Sequence, residues 1–110
     1  MAESVAEIFQ MMPERVNKEK IQGMNSTFQF NITGDDGGQW YVVIADGNCA
    51  VNEGTTDSPN ITITATSQDW IDIVNGKLNG QTAFLTGKLK IQGDMTLAMK
   101  LQSIFQFGAA

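Results

Sequence analysis

The sequence predicts an α+β fold, with five short strands bracketed and interrupted by helices. Three observations carry this. The hydrophobic period is helical over the first residues, it changes to two at Asn25, and it returns to helical spacing at Ser67 and again at Met95. The 110 residues are 42% hydrophobic and 17% charged with only 2 prolines, a composition that reads as one globular domain spanning residues 1–110 with a single core. Seven basic against twelve acidic side chains give a formal charge of −5, which argues against a nucleic-acid partner. With no histidine, and Cys49 the single cysteine, the chain lacks the parts for a Ser-His-Asp triad, a disulfide or a His/Cys metal cluster, so neither metal nor other cofactor is expected. Met1-Ala2-Glu3-Ser4 has neither the basic nor the apolar region of a secretory signal, and the expected location is cytoplasmic.

Along the chain, Ser4-Val5-Ala6-Glu7 has capping-box spacing, and Val5, Ile8, Phe9 and Met12 follow on one helical face. Pro13 is expected to open a second helical turn, and Asn17 to cap a third helical piece before Gly23. Phe28, Phe30 and Ile32 then alternate with Thr27, Gln29, Asn31 and Thr33, giving a strand whose second set faces away from the core. Gly34-Asp35-Asp36-Gly37-Gly38 and Asp46-Gly47-Asn48 are turn sequences, so Trp40 to Ala45 and Cys49 to Glu53 complete an antiparallel meander. Ile61, Ile63 and Ala65 mark a fourth strand, and Thr66 or Ser67 caps a helix bearing Trp70, Ile73 and Val74 that ends at Gly76. A short segment from Gln81 to Thr86 precedes a brief fifth strand at Leu89 and Ile91, and Asp94 caps a last helix from Met95 to about Phe105.

The last helix is the most informative element. At 100° per residue, Leu97, Ala98, Leu101, Ile104 and Phe105 fall within about 120° and face the sheet. Met95, Met99 and Gln102 form a second arc on one flank. Two readings stand beside each other. Met95 and Met99 complete the core, or their flexible thioethers form a surface that fits apolar ligands of variable shape.

Other chemical candidates dissolve on inspection. Asp35 and Asp36 are the closest carboxylate pair, but they sit among turn glycines, where a solvated backbone role is expected and a calcium loop would need a distant glutamate. Gly80 to Lys88 has the wrong spacing for a phosphate-binding loop, and Leu89 stands where its Ser or Thr belongs. Cys49 has no nearby base and reads as a packed thiol. Residues 1–65 hold nine acids and three bases, whereas residues 66–110 hold three acids and four lysines, namely Lys77, Lys88, Lys90 and Lys100. These lysines fit a solvated face, or a transient contact with an anionic membrane surface.

Gly76-Lys77-Leu78, Ala83-Phe84, Gly87-Lys88-Leu89-Lys90-Ile91-Gln92-Gly93-Asp94 and Leu97-Ala98-Met99-Lys100-Leu101-Gln102 together resemble the signature of the sterol carrier protein type 2 family, as does Phe28-Gln29-Phe30 leading through Gly37-Gly38 to Trp40. The resemblance runs from about Phe9 to Phe105. It implies a five-stranded mixed, mainly antiparallel sheet covered by helices and enclosing a hydrophobic tunnel that takes sterols, fatty acids, fatty acyl-CoAs or phospholipids. It further implies a non-catalytic protein of lipid binding and transfer, and the short N-terminal region and the ending Gly108-Ala109-Ala110 fit a free-standing bacterial form. By position in the motif, Met95, Met99 and Gln102 line the tunnel, facing Phe30, Trp40, Phe84, Leu85, Ile91 and Phe9 or Met12. The alternative is a non-catalytic dimerisation or interaction module of the same fold that serves a separate enzyme. An enzyme using carboxylates has the least support, since Asp94, the one acid beside the expected cavity, reads as a helix cap.

Overall fold

The computed structural model describes residues 4–105, so the ending Gly108-Ala109-Ala110 lies outside the described residues. In chain order the elements are α1 (Val5–Arg15), β1 (Ser26–Thr33), β2 (Gly38–Ala45), β3 (Asn48–Glu53), β4 (Ile61–Thr66), α2 (Ser67–Val74), α3 (Gly80–Leu85), β5 (Leu89–Gly93) and α4 (Met95–Phe105). The strands form one mixed sheet in the order β3-β2-β1-β4-β5. Every neighbouring pair is antiparallel except β1 and β4, which run parallel. The expected meander, fourth strand and fifth strand are all present.

The register explains the core. Phe28 pairs with Val42 and Ile61, and Phe30 with Trp40 and Ile63, so the apolar sets of β1, β2 and β4 share one face. That face meets Val5, Ile8, Phe9 and Met12 of α1, Trp70, Ile73 and Val74 of α2, and Leu97, Leu101, Ile104 and Phe105 of α4. α1 packs over β3 and against α2, while α4 packs over β4 and β5 and α3 over β5. The opposite face carries threonines and amides, and among the described residues no helix packs on it.

That open face holds one exception to the expected solvation. Gln29 is only 4% exposed, because the connection 54–60 crosses the sheet from β3 to β4 over it. Its amide nitrogen donates toward the carbonyl oxygens of Trp40 and Gly54, each at 3.2 Å, and its oxygen accepts from the Thr56 amide at 2.9 Å. Alternation alone assigned Gln29 to water; the loop that covers it is set by the strand order, which alternation does not encode.

Local chemistry sets most element boundaries. The Ser4 hydroxyl caps α1, accepting from the Glu7 amide and donating to the Glu7 carboxylate, and the Thr66 hydroxyl caps α2 through the Asp69 amide. Asp46 and Gly47 both have positive φ, 55° and 75°, as the tight β2–β3 turn requires. Asp94 caps α4 through the Thr96 and Leu97 amides. Just before it, Gly93 has φ 109°, and a Cβ there would sit 2.5 Å from the Asn60 carbonyl oxygen, so only glycine lets β5 close against β4 and turn into α4.

Two local expectations are corrected, and a segment left without an element type is assigned one. Pro13 does not open a second helical turn; it lies inside α1, where it forgoes a backbone bond near the C-terminal end and the helix continues to Arg15. Asn17 caps no helix: its side chain accepts from the Glu19 and Lys20 amides in a series of turns, because the few residues before Gly23 (φ 75°) are too short a stretch to propagate one. The segment at Gln81 is a six-residue helix, α3, capped by Asn79.

Asp36 is the second place, after Gln29, where sequence separation hid a role. Its carboxylate accepts from the Val5 amide at 2.9 Å, so the tip of the β1–β2 hairpin caps the N-terminus of α1 across the fold. The site is favourable for an anion because the first amides of a helix lack internal partners and carry the positive end of its dipole. Asp36→Ala should therefore lower stability by about 0.5–2 kcal/mol, whereas Asp35→Ala should be nearly neutral. Thermal melts of the two variants check this, and equal melting temperatures would remove the cap.

Candidate functional site

The residues expected to line a tunnel fall into two groups, one between α1 and strands β1 and β2, the other about the edge strand β5. The first is an aromatic cluster. Phe9 of α1 stacks on Trp40 of β2 with ring centroids 4.4 Å apart, meets Phe30 edge-on at 5.3 Å, and lies 6.0 Å from Trp70. Phe9, Met12 and Phe30 are fully buried, and Trp40 is partly buried against them. Trp40 also covers Gly38, where a Cβ would meet the indole ring at 2.7 Å. An open depression of about 380 Å³ lies beside this cluster, bounded by Phe9, Gln10, Pro13, Trp40, Val51 and Glu53.

The second group lies at the other edge. Phe84 and Leu85 of α3 are 38% and 75% exposed, and Met95 and Met99 of α4 are 41% and 83% exposed. Gln102 is also exposed, and Ile91 of β5 is half-buried against the core. α3 leads into β5 and α4 leads out of it, so both helices flank the same edge strand. The helical wheel is thus resolved in one respect: Leu97, Leu101, Ile104 and Phe105 are the buried arc, and Met95 and Met99 are not part of the core.

Flexible thioethers, one aromatic ring and one leucine facing outward, with a neutral amide among them, make a surface suited to apolar matter. Phe84, Leu85, Met95, Met99 and Gln102 themselves carry no titratable group. Among the described residues no group of three or more His, Cys, Asp or Glu side chains could hold a metal ion. Cys49 is a residue of β3, where burial pushes its thiol pKa up to about 11 against a weaker opposing pull from Lys18, so it holds little thiolate near neutrality.

Residues 6–106 match the SCP-2 sterol transfer family. The chain belongs to that family. Among solved structures, the sterol carrier protein domain 2 of Helicoverpa armigera superposes with a TM-score of 0.79 at 30% identity, covering 96% of this chain and 87% of that one. A palmitated SCP2L2 from Aedes aegypti gives a TM-score of 0.71 at 27% identity, covering 94% and 95%. The hydroxysteroid dehydrogenase-like protein 2 of Rattus norvegicus is 29% identical over 102 residues, which are 92% of this chain but 20% of that protein. The chain therefore spans about a fifth of that curated relative. The SCP-2 fold, with its mixed five-stranded sheet and helices on one face, is the architecture described above, and family membership supports lipid binding or transfer as the general class of function.

Two residues of consequence escaped the sequence reading, Gln29 and Asp36, and neither acts through a local pattern. Met11 of α1, 38% exposed beside the aromatic end, was likewise outside the expected set.

The two arcs of α4 differ in what truncation should do. Leu101→Ala removes a buried side chain and should cost about 2–5 kcal/mol, while Met99→Ala, at an exposed position, should stay within about 0.5 kcal/mol of the parent. Paired denaturant titrations would show the contrast; equal losses would place Met99 in the core after all.

Proposed function

We propose that this chain binds and carries a single lipid without catalysing a reaction, and that the outward faces of α3 and α4 hold the lipid's apolar part. The observation that supports this most is the exposure of Phe84, Leu85, Met95 and Met99 beside the edge strand in a chain of the SCP-2 sterol transfer family. Ile91 provides the floor, and Gln102 offers an amide to a headgroup. Phe9, Met12, Phe30 and Trp40 take a packing role: their rings bind α1 to the sheet and give the other helices a rigid base. The palmitated SCP2L2 favours a fatty acyl chain as the ligand, free or as an acyl-CoA or phospholipid, over a sterol. A cytoplasmic protein of one lipid-binding domain is the setting we assign, whether the domain stands alone or within a longer chain. No helix among the described residues is long and apolar enough to cross a membrane.

The same exposed side chains support a second reading, a module that pairs with another copy or with an enzyme. The two separate on dependence on chain length. Each methylene buried adds about 0.8 kcal/mol, so affinity for saturated fatty acids should rise up to about fourfold per carbon until the site is full. Isothermal titration with an acyl-length series should show one site per chain, and Met99→Asp with Leu85→Asp should abolish binding without unfolding the domain. Affinity indifferent to length, accompanied by a concentration-dependent dimer, would establish the interaction module instead.

A further inference from the structure

Asparagine followed by glycine occurs twice in the chain, at Asn75-Gly76 and Asn79-Gly80, and both pairs lie in the connection from α2 to α3. This dipeptide carries its own reaction partners. The backbone nitrogen after an asparagine can close a succinimide ring on that side chain's Cγ, and a following glycine, with no Cβ, leaves the approach open. The fold treats the two pairs differently. Asn75 is half-buried at the end of α2, and the Gly76 amide that would attack it is committed to the Ile73 carbonyl oxygen at 3.2 Å. Asn79 is exposed. The Gly80 amide is the first of α3, so it has no helical acceptor, and no other described residue accepts from it. A Cβ at Gly80 would meet nothing within 4 Å, so the chain is uncrowded there. The Asn79 Oδ1 accepts from the Thr82 amide at 3.0 Å, and that donor favours the negative charge that gathers on the oxygen when Cγ is attacked. Closing the ring requires Asn79 to leave its extended backbone (ψ 130°), a movement that α3 resists weakly, being a six-residue helix with Ala83 as its one buried side chain.

We propose that Asn79 is a site of spontaneous backbone modification, from which Asn75 is protected by the fold. The Gly80 nitrogen gives its proton to a solvent base and bonds to the Asn79 Cγ. The Cγ–Nδ2 bond breaks, and that nitrogen takes a proton from solvent and leaves as ammonia. Water then opens the ring. Addition at Cγ breaks the new bond to Gly80 and leaves an aspartyl side chain, which still caps α3. Addition at the main-chain carbonyl of residue 79 breaks its bond to Gly80 instead and leaves an isoaspartyl linkage, in which the chain runs through Cγ and is one methylene longer. The second product lengthens the connection just ahead of α3 and removes the capping side chain, so Phe84 and Leu85 lose their placement beside β5. Under the lipid-binding reading, on which this consequence rests, the modified chain holds an acyl chain less well.

Peptide mapping of the intact folded chain after incubation in warm, mildly alkaline buffer tests it, because trypsin cuts at Lys77, between the two pairs. The mass gain of an amide turned to an acid should appear at Asn79 about tenfold faster than at Asn75, and much of it should resist a protease that cuts before aspartyl residues. In denaturant the two asparagines should react alike. Gly80→Ala, which displaces no neighbour, should slow the reaction of the folded chain by about tenfold and leave its melting temperature unchanged. Equal rates at Asn75 and Asn79 in the folded chain, or a Gly80→Ala variant that reacts as the parent does, would overturn the proposal. Protein carrying the isoaspartyl linkage should bind palmitate several-fold more weakly than Asn79→Asp, which has the same charge; equal binding would overturn the consequence for the ligand. Fresh protein that binds no fatty acid, while Asn79 still reacts, would overturn the lipid reading and leave the modification standing.

Discussion

The arrangement depends on a crossover made without a helix. β3 and β4 run in the same direction but are separated in the sheet by β2 and β1, and only the connection 54–60 joins them. Gln29 is the fixed point of that connection, donating toward Gly54 and accepting from Thr56 at the centre of β1. Asn60 finishes the crossing, its amide donating to the Thr27 carbonyl oxygen and its side chain accepting from the Thr27 amide. Because β4 then lies beside β1, the chain has a free edge on which β5, α3 and α4 assemble. A buried amide with its partners in place favours one path; the same amide without them would be a penalty of about 1–3 kcal/mol, so alternative routes of the loop are disfavoured.

The two ends of the helical layer are built from different materials. At the α1 end, aromatic rings interlock and cover a glycine of the sheet, which makes a stiff and nearly immovable contact. At the α4 end, the outward side chains are unbranched or at helix termini, and their methionines have several low-energy shapes. A carrier needs both properties at once: a part that keeps its geometry whatever is bound, and a part that changes shape to match the cargo. Here α1 packs over β3 and α4 over β4 and β5, so under the proposed lipid-carrying function the two properties would lie over different parts of one sheet.

Elements governed by neighbours in sequence were legible. The Ser4 cap, the turn at Asp46-Gly47 and the cap at Asp94 rest on contacts within a few residues, and the arc of α4 that is buried follows from helical spacing. The wheel also separated Met95 and Met99 from the core arc, although it left open whether they were buried. What stayed hidden acts across the sequence. Asp36 reads as a turn residue because its partner, Val5, belongs to another element, and Gln29 reads as solvated because its cover arrives with a later loop. The grouping of candidate lipid contacts was hidden for the same reason: Trp40 and Leu85 are equally apolar in the sequence, and only strand order sets β2, which carries Trp40, three strands away from β5, which follows Leu85.

One further bond ties the end of the last helix to the beginning of the chain. The Asn17 amide donates to the Ile104 carbonyl oxygen at 2.7 Å, which satisfies a group that the end of α4 would otherwise leave without a helical partner. On a ribosome, the N-terminal segment must wait for nearly the whole domain to be synthesised before this closure forms. Long-range closures of this kind slow the search for the native topology. Until α4 arrives, part of the apolar face of β4 and β5 lacks its cover, so the nascent domain keeps that surface open until its last described element has been made.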